Sequence, residues 1–489
     1  MRKSGILLPV SSLPGKYGIG SFGKEAYRFA DFLAAAGQSA WQILPLGPTS
    51  YGNSPYSSFS SHAGNPYYID LDTLIDEGLL KSSEVEDINW GDDPMYVDYG
   101  KIYEHRFDVL RLASGRGWER DAEKLAAFIE ANRGWLPDYA LFMALKRHFG
   151  MKSWIEWPDE AVRMHESAAV EKYRRELDAD IRLFTWAQYK FFEQWDALRE
   201  YVHALGIEVI GDVPIYVALD SADVWSDPKS FQLDERNMPK RVAGVPPDYF
   251  CADGQLWGNP IYDWERMKAD GYGWWIRRIE SAKRLYDVIR IDHFRGFDSY
   301  WAVPYGEKTA INGKWCAGPG IGLVGVLRDS GFPGMKVLEF AFDSREPSNY
   351  LPHTYTPNCV CYVGTHDNET AMQWWKKISR ADSAYARRYL GLNAHEGINW
   401  GLIRGGMSSV AELFVAQMSD FLGLGAEARI NEPGNPEGNW RWRLQSGQLT
   451  DELCDKIYDY TRIYGRLNPK SYRAPKSEEK PAAKLKEVK

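Results

Sequence analysis

Arg290-Ile291-Asp292-His293-Phe294-Arg295-Gly296-Phe297 decides how this chain is read. It follows the apolar pair Val288-Ile289 and then turns polar. That is the pattern of a buried parallel strand whose C-terminal end opens into a site. Its carboxylate sits between a guanidinium and an imidazole, and neighbouring positive charge favours the ionised form. Alone, the octapeptide fits a structural Asp–Arg pair as well as a reactive carboxylate. The same order of residues occurs twice more. Cys359-Val360-Cys361-Tyr362-Val363 runs into Gly364-Thr365-His366-Asp367-Asn368-Glu369-Thr370, and Gly206-Ile207-Glu208-Val209-Ile210-Gly211 runs into Asp212-Val213-Pro214. Asx and Thr are ordinary turn formers, so neither stretch carries weight by itself. Strand tips far apart in sequence make sense together if they point at one place. A parallel barrel with its site on the C-terminal face does that.

Working outward, strand candidates are Ile6–Val10, Ala40–Leu44, Ile207–Val213, Val288–Asp292, Val337–Phe342, Val360–Gly364 and Leu413–Gln417. That is one fewer than an eight-stranded barrel needs. Between the second and third candidates the pattern is mostly helical, as in Asp121–Ala131, Leu136–Phe149 and Ile181–Leu205. The expected fold class is therefore α/β, a TIM-type barrel over residues 1–470. A helical subdomain is inserted at about 72–200 and a loop region at about 220–275. Residues 473–489, rich in Lys, Glu, Ala and Pro, read as a disordered charged tail.

At 489 residues the chain is long enough for one barrel with insertions. A net charge of −8 argues against nucleic acid and leaves a neutral polymer unaffected. The 20 Trp and 29 Tyr offer rings with polar tips, which suits ligands that present C–H faces and hydroxyls, although most of the Trp are expected in the core. Cys251, Cys316, Cys359, Cys361 and Cys454 have neither disulfide-framework nor metal spacing. Cys359 and Cys361 read as small core hydrophobes. No metal and no cofactor are expected. Met1-Arg2-Lys3-Ser4 briefly resembles the start of a signal peptide, but Ile6-Leu7-Leu8-Pro9-Val10 is too short for its apolar core. No stretch reaches bilayer-spanning length. The expectation is a cytoplasmic protein with no membrane partner, either a monomer or a weak homodimer.

Several longer motifs occur in a fixed order: Gly47-Pro48-Thr49 with Asn53-Ser54-Pro55-Tyr56, Gly211 to Val217, Pro246-Pro247-Asp248-Tyr249-Phe250, Gln255-Leu256-Trp257-Gly258-Asn259-Pro260, Arg290 to Phe297, Gly364 to Thr370, and Gly438-Asn439-Trp440-Arg441-Trp442-Arg443. With these, the chain from Gly5 to about Pro469 resembles the amylomaltases. These are the 4-alpha-glucanotransferases (disproportionating enzymes) of glycoside hydrolase family 77, in the α-amylase clan. The resemblance implies transfer of α-1,4-glucan segments to a 4-OH of glucose or another glucan by a retaining double displacement. It implies maltooligosaccharides as donors and glucose as an acceptor. It makes Asp292 the nucleophile and Asp367 the carboxylate that stabilises the oxocarbenium-like transition state. Arg290, His293 and His366 match orienting partners. Tyr56, Asp212, Trp257 and Asn431 match subsite-lining positions. Tyr249 and Phe250 fall in a loop that covers bound glucan.

One departure stands out. The family carries its acid/base Glu in a motif of the type Ala-Glu-Asp-Leu-Gly, on the strand after the nucleophile strand. Here Gly318-Pro319-Gly320-Ile321-Gly322-Leu323 runs directly into Val324 to Gly334, and the motif is absent. The expectation is an internal deletion of one strand–helix unit around residues 318–326. Gly320–Leu327 is apolar enough to form a short replacement strand. If it is helical instead, the flanking strands are left splayed or re-paired. Glu339 is the nearest glutamate on the following strand, although its family counterpart is not the acid/base; Glu307 is a weaker candidate. Retaining transfer needs a second carboxylate. The chain therefore reads as a poor or dead transferase, with a non-catalytic glucan-binding relic or a defective gene product as the alternative. An α-glucan hydrolase is the less favoured third reading.

Overall fold

The computed structural model describes residues 2–247, 251–326, 333–435 and 437–471. Its strands are β1 (Lys3–Leu7), β2 (Ala40–Gln42), β3 (Glu208–Pro214), β4 (Arg241–Val245), β5 (Gln255–Pro260), β6 (Val288–Asp292), β7 (Ser299–Pro304), β8 (Lys314–Ala317), β9 (Gly334–Val337), β10 (Cys359–Tyr362) and β11 (Leu413–Gln417). Seven of them form one parallel sheet in the order β6-β3-β2-β1-β11-β10-β9. The sheet curls, and Tyr362 of β10 donates its hydroxyl across the interior to Gln42 Oε1 of β2 at 2.9 Å. This is a TIM-barrel-like α/β fold. Among the described residues β6 and β9 are the two ends of the sheet and do not pair with each other.

Each expected barrel strand is present, Val288–Asp292 and Leu413–Gln417 with the expected ends and the others with shifted ones. The largest shift is at Val337–Phe342. β9 covers only Gly334–Val337, and Leu338–Phe340 is a 3-10 turn. The Glu339 N–H leaves the ladder to donate to Val363 O at 3.2 Å, a turn that an apolar run does not reveal. Of the two alternatives for this segment, short strand or helix, Ile321–Val326 takes the helix. Three glycines, Gly320, Gly322 and Gly325, weaken a strand there. The flanking strands are left unpaired with each other.

The stretch Asp298–Gly318, where no strand was expected, holds a hairpin. β7 and β8 pair antiparallel and join β4 and β5 in a second sheet, ordered β5-β4-β7-β8. Gly318 and Gly320 are pinned through their N–H groups to Asp298 O and Phe297 O at 2.7 and 2.8 Å.

The inserted region is helical as expected. Tyr99–Arg120, Ala122–Ala131, Leu136–His148 and Asp178–Ala204 are its main elements. Asp98 caps the first, accepting from Lys101 N at 3.1 Å. Lys146, Arg147 and His148 close the third, where cations suit the carbonyl end of a helix. These helices and the barrel share one hydrophobic core that buries Trp41, Trp154, Trp157, Trp186, Trp195, Trp225 and Trp275. Cys359 and Cys361 lie in it, and burial pushes the Cys361 thiol up to about 12. None of the five cysteines forms a disulfide. No helix among the described residues is long and apolar enough to cross a membrane.

Candidate active site

Two neighbouring strands carry one half of the site. β3 and β6 pair in register, with Asp212 opposite Arg290 and Pro214 opposite Asp292. Gly211 permits the local packing, because a Cβ there would fall 2.1 Å from the Tyr286 ring. Arg290 and Asp292, two residues apart, share a face of β6. The Arg290 guanidinium joins two carboxylates: Nη1 donates to Asp212 Oδ2, and Nη2 to Asp292 Oδ1 at 2.9 Å.

The other half follows β10. Tyr56 donates its hydroxyl to Asp212 Oδ2 at 2.7 Å, and its oxygen lies 2.8 Å from His366 Nε2. With the tyrosine proton directed to Asp212, the oxygen accepts from His366 Nε2–H. That nitrogen is also 3.2 Å from Asp367 Oδ2. The second oxygen of Asp367 accepts from Asn431 Nδ2 at 2.6 Å. A continuous polar chain thus runs Asp292, Arg290, Asp212, Tyr56, His366, Asp367, Asn431.

Burial alone would lower the Arg290 guanidinium, but Asp212, Tyr56 and Asp292 hold it well above its ordinary value. Burial likewise opposes charge on Asp367, yet His366, Asn431 and Arg290 hold its carboxyl well below the usual range. His366 is raised by Asp367 against the effect of burial. The Asp292 and Asp367 side chains are 33% and 36% exposed, whereas those of Asp212 and His366 are buried. Two carboxylates, fixed by buried partners and open on one side, can meet a ligand without reorganising.

His293, directly after Asp292, takes a left-handed backbone at φ 52°, uncommon for a residue with a side chain. This places its ring edge-on to Trp257 of β5, centroids 4.8 Å apart. Burial lowers the His293 imidazole against the pull of Asp292. Trp257 is 36% exposed. The second sheet thus carries an aromatic ring to the exit of β6. Tyr249 and Phe250 lie outside the described residues.

Some supports were not anticipated. Gln417 Nε2 donates to Thr365 O at 2.9 Å, Arg429 Nη2 to Asp367 O at 3.4 Å, and Asp420 Oδ1 accepts from Ala371 N at 2.8 Å. No short motif marks these three positions. Trp440, inside the Gly438–Arg443 motif, packs its ring 5.7 Å from Tyr56 and 6.1 Å from His366; the motif was the available signal.

Glu339 is buried beside Gly364, where a Cβ would stand 2.9 Å from its Oε1. Burial first, then Asp420 and Glu369, raise its carboxyl well above the usual range, with Arg429 opposing. Asp292 is not among the charged groups acting on it. Glu307 sits on the β7–β8 hairpin and accepts from Asn312 Nδ2 at 3.2 Å. Among the described residues, no glutamate joins the chain of contacts around Asp292.

A profile of glycoside hydrolase family 77, described as 4-alpha-glucanotransferase, matches residues 8–330 and 322–450. The chain belongs to this family. It is thereby a 4-alpha-glucanotransferase, a glycosyl-transferring enzyme acting on α-1,4-glucans. The 4-alpha-glucanotransferase of Clostridium butyricum is 48% identical over 484 residues, covering 94% of this chain and 99% of that one. The amylomaltase of Streptococcus agalactiae, solved in complex with acarbose, superposes with a TM-score of 0.93 at 41% identity, covering 96% of this chain and all of that one. Corynebacterium glutamicum amylomaltase, at 19% identity and a TM-score of 0.73, shares the fold. The two profile stretches overlap at 322–330, between β6 and β9 in sequence. The Clostridium alignment spans 484 positions while using 94% of 489 residues, so it opens gaps in this chain.

Proposed function

We propose that this 4-alpha-glucanotransferase retains the nucleophilic half of a double displacement and lacks the acid/base half. Asp292 attacks the anomeric carbon, and Asp367 steadies the positive charge that develops on the sugar ring. Arg290, His293 and His366 hold these groups, while Tyr56, Asp212, Trp257 and Asn431 line the glucan subsites. The donors are maltooligosaccharides, glucose is an acceptor, and the chain acts as a monomer or weak homodimer in the cytoplasm; the absence of disulfides among its cysteines suits that compartment.

The polar chain from Asp292 to Asn431 carries this reading: it joins two open carboxylates through buried charged partners. The missing half rests on the absence of a glutamate from that chain among the described residues. Loss of general acid help costs about 10²–10⁴ in rate. Disproportionation of maltotriose is therefore expected to be slower than in the Clostridium butyricum relative by that factor. α-Glucosyl fluoride, whose leaving group needs no proton, should still glycosylate Asp292. Added azide should then release α-glucosyl azide. Disproportionation at the relative's rate would sink this reading; so would failure to turn over the fluoride with azide present.

A further inference from the structure

The loop bearing His366 and Asp367 leaves β10 and ends at Thr370, the cap of the helix Ala371–Lys377. It is closed on itself. Thr365 donates from N and Oγ1 to Asn368 Oδ1 at 2.9 and 2.8 Å, and Asn368 N donates back to Thr365 O at 3.1 Å. A turn bonded in this way moves as one piece, and Asp367 moves with it. Its far end is tied to Asp420, on the short helix Met418–Leu422 after β11: the Ala371 N–H donates to Asp420 Oδ1 at 2.8 Å. Asp420 is held in turn, since Asn399 Nδ2 donates to its carbonyl oxygen at 2.8 Å. For an acceptor with no task beyond stability, an aspartate is a poor choice here. Its side chain is fully buried, Oδ2 has no hydrogen-bond partner among the described residues, and the groups that stabilise its charge are the Ala371 and Gln417 N–H groups rather than a cation. Burial pushes the carboxyl up to about 7. A second buried carboxyl, Glu339, lies against Gly364 at the start of the loop, and Asp420 raises it further. Buried charge without a counter-ion lowers stability, and local rules are broken in this way mostly at functional sites.

We propose that Asp420 is a positioning residue for glucosyl transfer: by gripping the Ala371 N–H it fixes the Gly364–Thr370 turn and, through that turn, the place of the Asp367 carboxylate. The proposal rests on the reading of Asp367 as the carboxylate that steadies the developing positive charge. Asp367 has a partner at each oxygen, His366 Nε2 at 3.2 Å and Asn431 Nδ2 at 2.6 Å. His366 sits on the same turn and travels with it, so it cannot place Asp367 against the rest of the site. The backbone of the turn needs anchors from outside. Gln417 Nε2 on Thr365 O is a bond between neutral amides at 2.9 Å, and Arg429 Nη2 on Asp367 O is long at 3.4 Å. The Asp420 bond is both short and made by a carboxylate, and such charge-assisted bonds are the stronger ones. A shift of about 1 Å in a reacting group costs about 10² in rate. Asp420 itself touches no sugar; it acts through the turn.

The test is a double-mutant cycle on α-glucosyl fluoride with azide, run on the full chain as parent, Asp420→Ala, Asp367→Asn and the double variant. Asp420→Ala should lower kcat by about 30- to 100-fold and move KM by less than about threefold. In the Asp367→Asn background the same change should cost less than about threefold, because the group it positions is gone. Asp420→Asn keeps an oxygen for the Ala371 N–H and sheds the charge. It should hold a kcat advantage of about tenfold or more over Asp420→Ala, and it should unfold at no lower urea concentration than the parent. A kcat for Asp420→Ala within about threefold of the parent overturns the proposal. So does an equal loss in both backgrounds, the mark of general loosening, and so does an Asp420→Asn no faster than Asp420→Ala. Should Asp420→Ala fail to fold, Asp420→Ser, whose shorter side chain falls short of the Ala371 N–H, is held to the same limits. Asp367→Asn at the parent's rate removes the reading of Asp367 and the proposal with it; the other results bear on Asp420 alone.

Discussion

β1 and β6 are both five-residue parallel strands, yet four residues of β1 are buried and none of β6 is. Composition does not explain this, since β6 holds three aliphatic residues, Val288, Ile289 and Ile291, against two, Ile6 and Leu7, in β1. Position does: β1 lies between β2 and β11, while among the described residues β6 pairs only with β3. In a barrel, the burial of a strand belongs to its two neighbours as much as to its own residues. The site divides along the same line. Asp367 is held by His366, Asn431 and Arg429. Asp292, on the open side, has Arg290 as its ion-pair partner.

The largest expected effect is chemical and falls on the open side. Asp292→Asn should cut turnover of α-glucosyl fluoride by about 10³-fold or more, because an amide cannot form the glycosyl ester. A variant that keeps the parent's rate would show that the open side does not hold the nucleophile.

Next comes the closed side's support. Arg466 donates from Nε and both Nη atoms to Met407 O, Lys3 O, Ser409 O and Ala411 O, tying the start of β1 to the approach to β11. Arg466→Met removes these four bonds, with Ser409 O keeping its bond from Arg2 Nη1 at 3.0 Å, and should cost about 2–4 kcal/mol in urea unfolding. A loss below about 1 kcal/mol would mean that water replaces the guanidinium freely.

A matched pair of truncations tests the contrast between strands directly. Val415 on β11 is fully buried and Val288 on β6 is largely open. Val415→Ala should destabilise by about 1.5–3 kcal/mol and Val288→Ala by less than about 0.5 kcal/mol. Equal losses would indicate that β6 is covered in solution.

Most of the barrel was legible because buried parallel strands announce themselves as apolar runs with polar tips. Asp212, Arg290, Asp292, His366 and Asp367 could be singled out because they stand at or just past those tips; register sets Asp212 beside Arg290, while the link to His366 runs through Tyr56, outside any strand, and could not be read from it. The β7–β8 hairpin was missed. Ser299–Pro304 and Lys314–Ala317 are short, the second flanked by Gly313 and Gly318, and the strand that pairs with β7 on its other side, β4, is distant in sequence. Glu339 was placed on a strand when it occupies a turn, because Leu338 and Phe340 continue the apolar pattern either way. The supports at Gln417, Asp420 and Arg429 left no trace in the sequence, since each acts through a backbone atom of another segment.

The smallest effect sets the two histidines against each other. Asp367 raises His366 above its ordinary value of 6.5, despite burial. A base raised on folding contributes stability that is fully present below its unfolded value and is lost as pH rises through the folded one. Asp367, depressed on folding, contributes above its unfolded value of 3.8 and loses that contribution only as pH falls through its folded value. The ion pair is therefore at full strength between those two unfolded values and fades on the alkaline side of His366. His293, on the open side, is lowered by burial. It favours the neutral form in the folded chain and costs stability as pH falls below 6.5. Urea unfolding of the parent, His366→Gln and His293→Gln at pH 5.5 and pH 9 separates the two. The parent's advantage over His366→Gln should be greater at pH 5.5. Its advantage over His293→Gln should be greater at pH 9. Slopes of the same sign for both variants would show that the two halves of the site do not differ in how they hold charge.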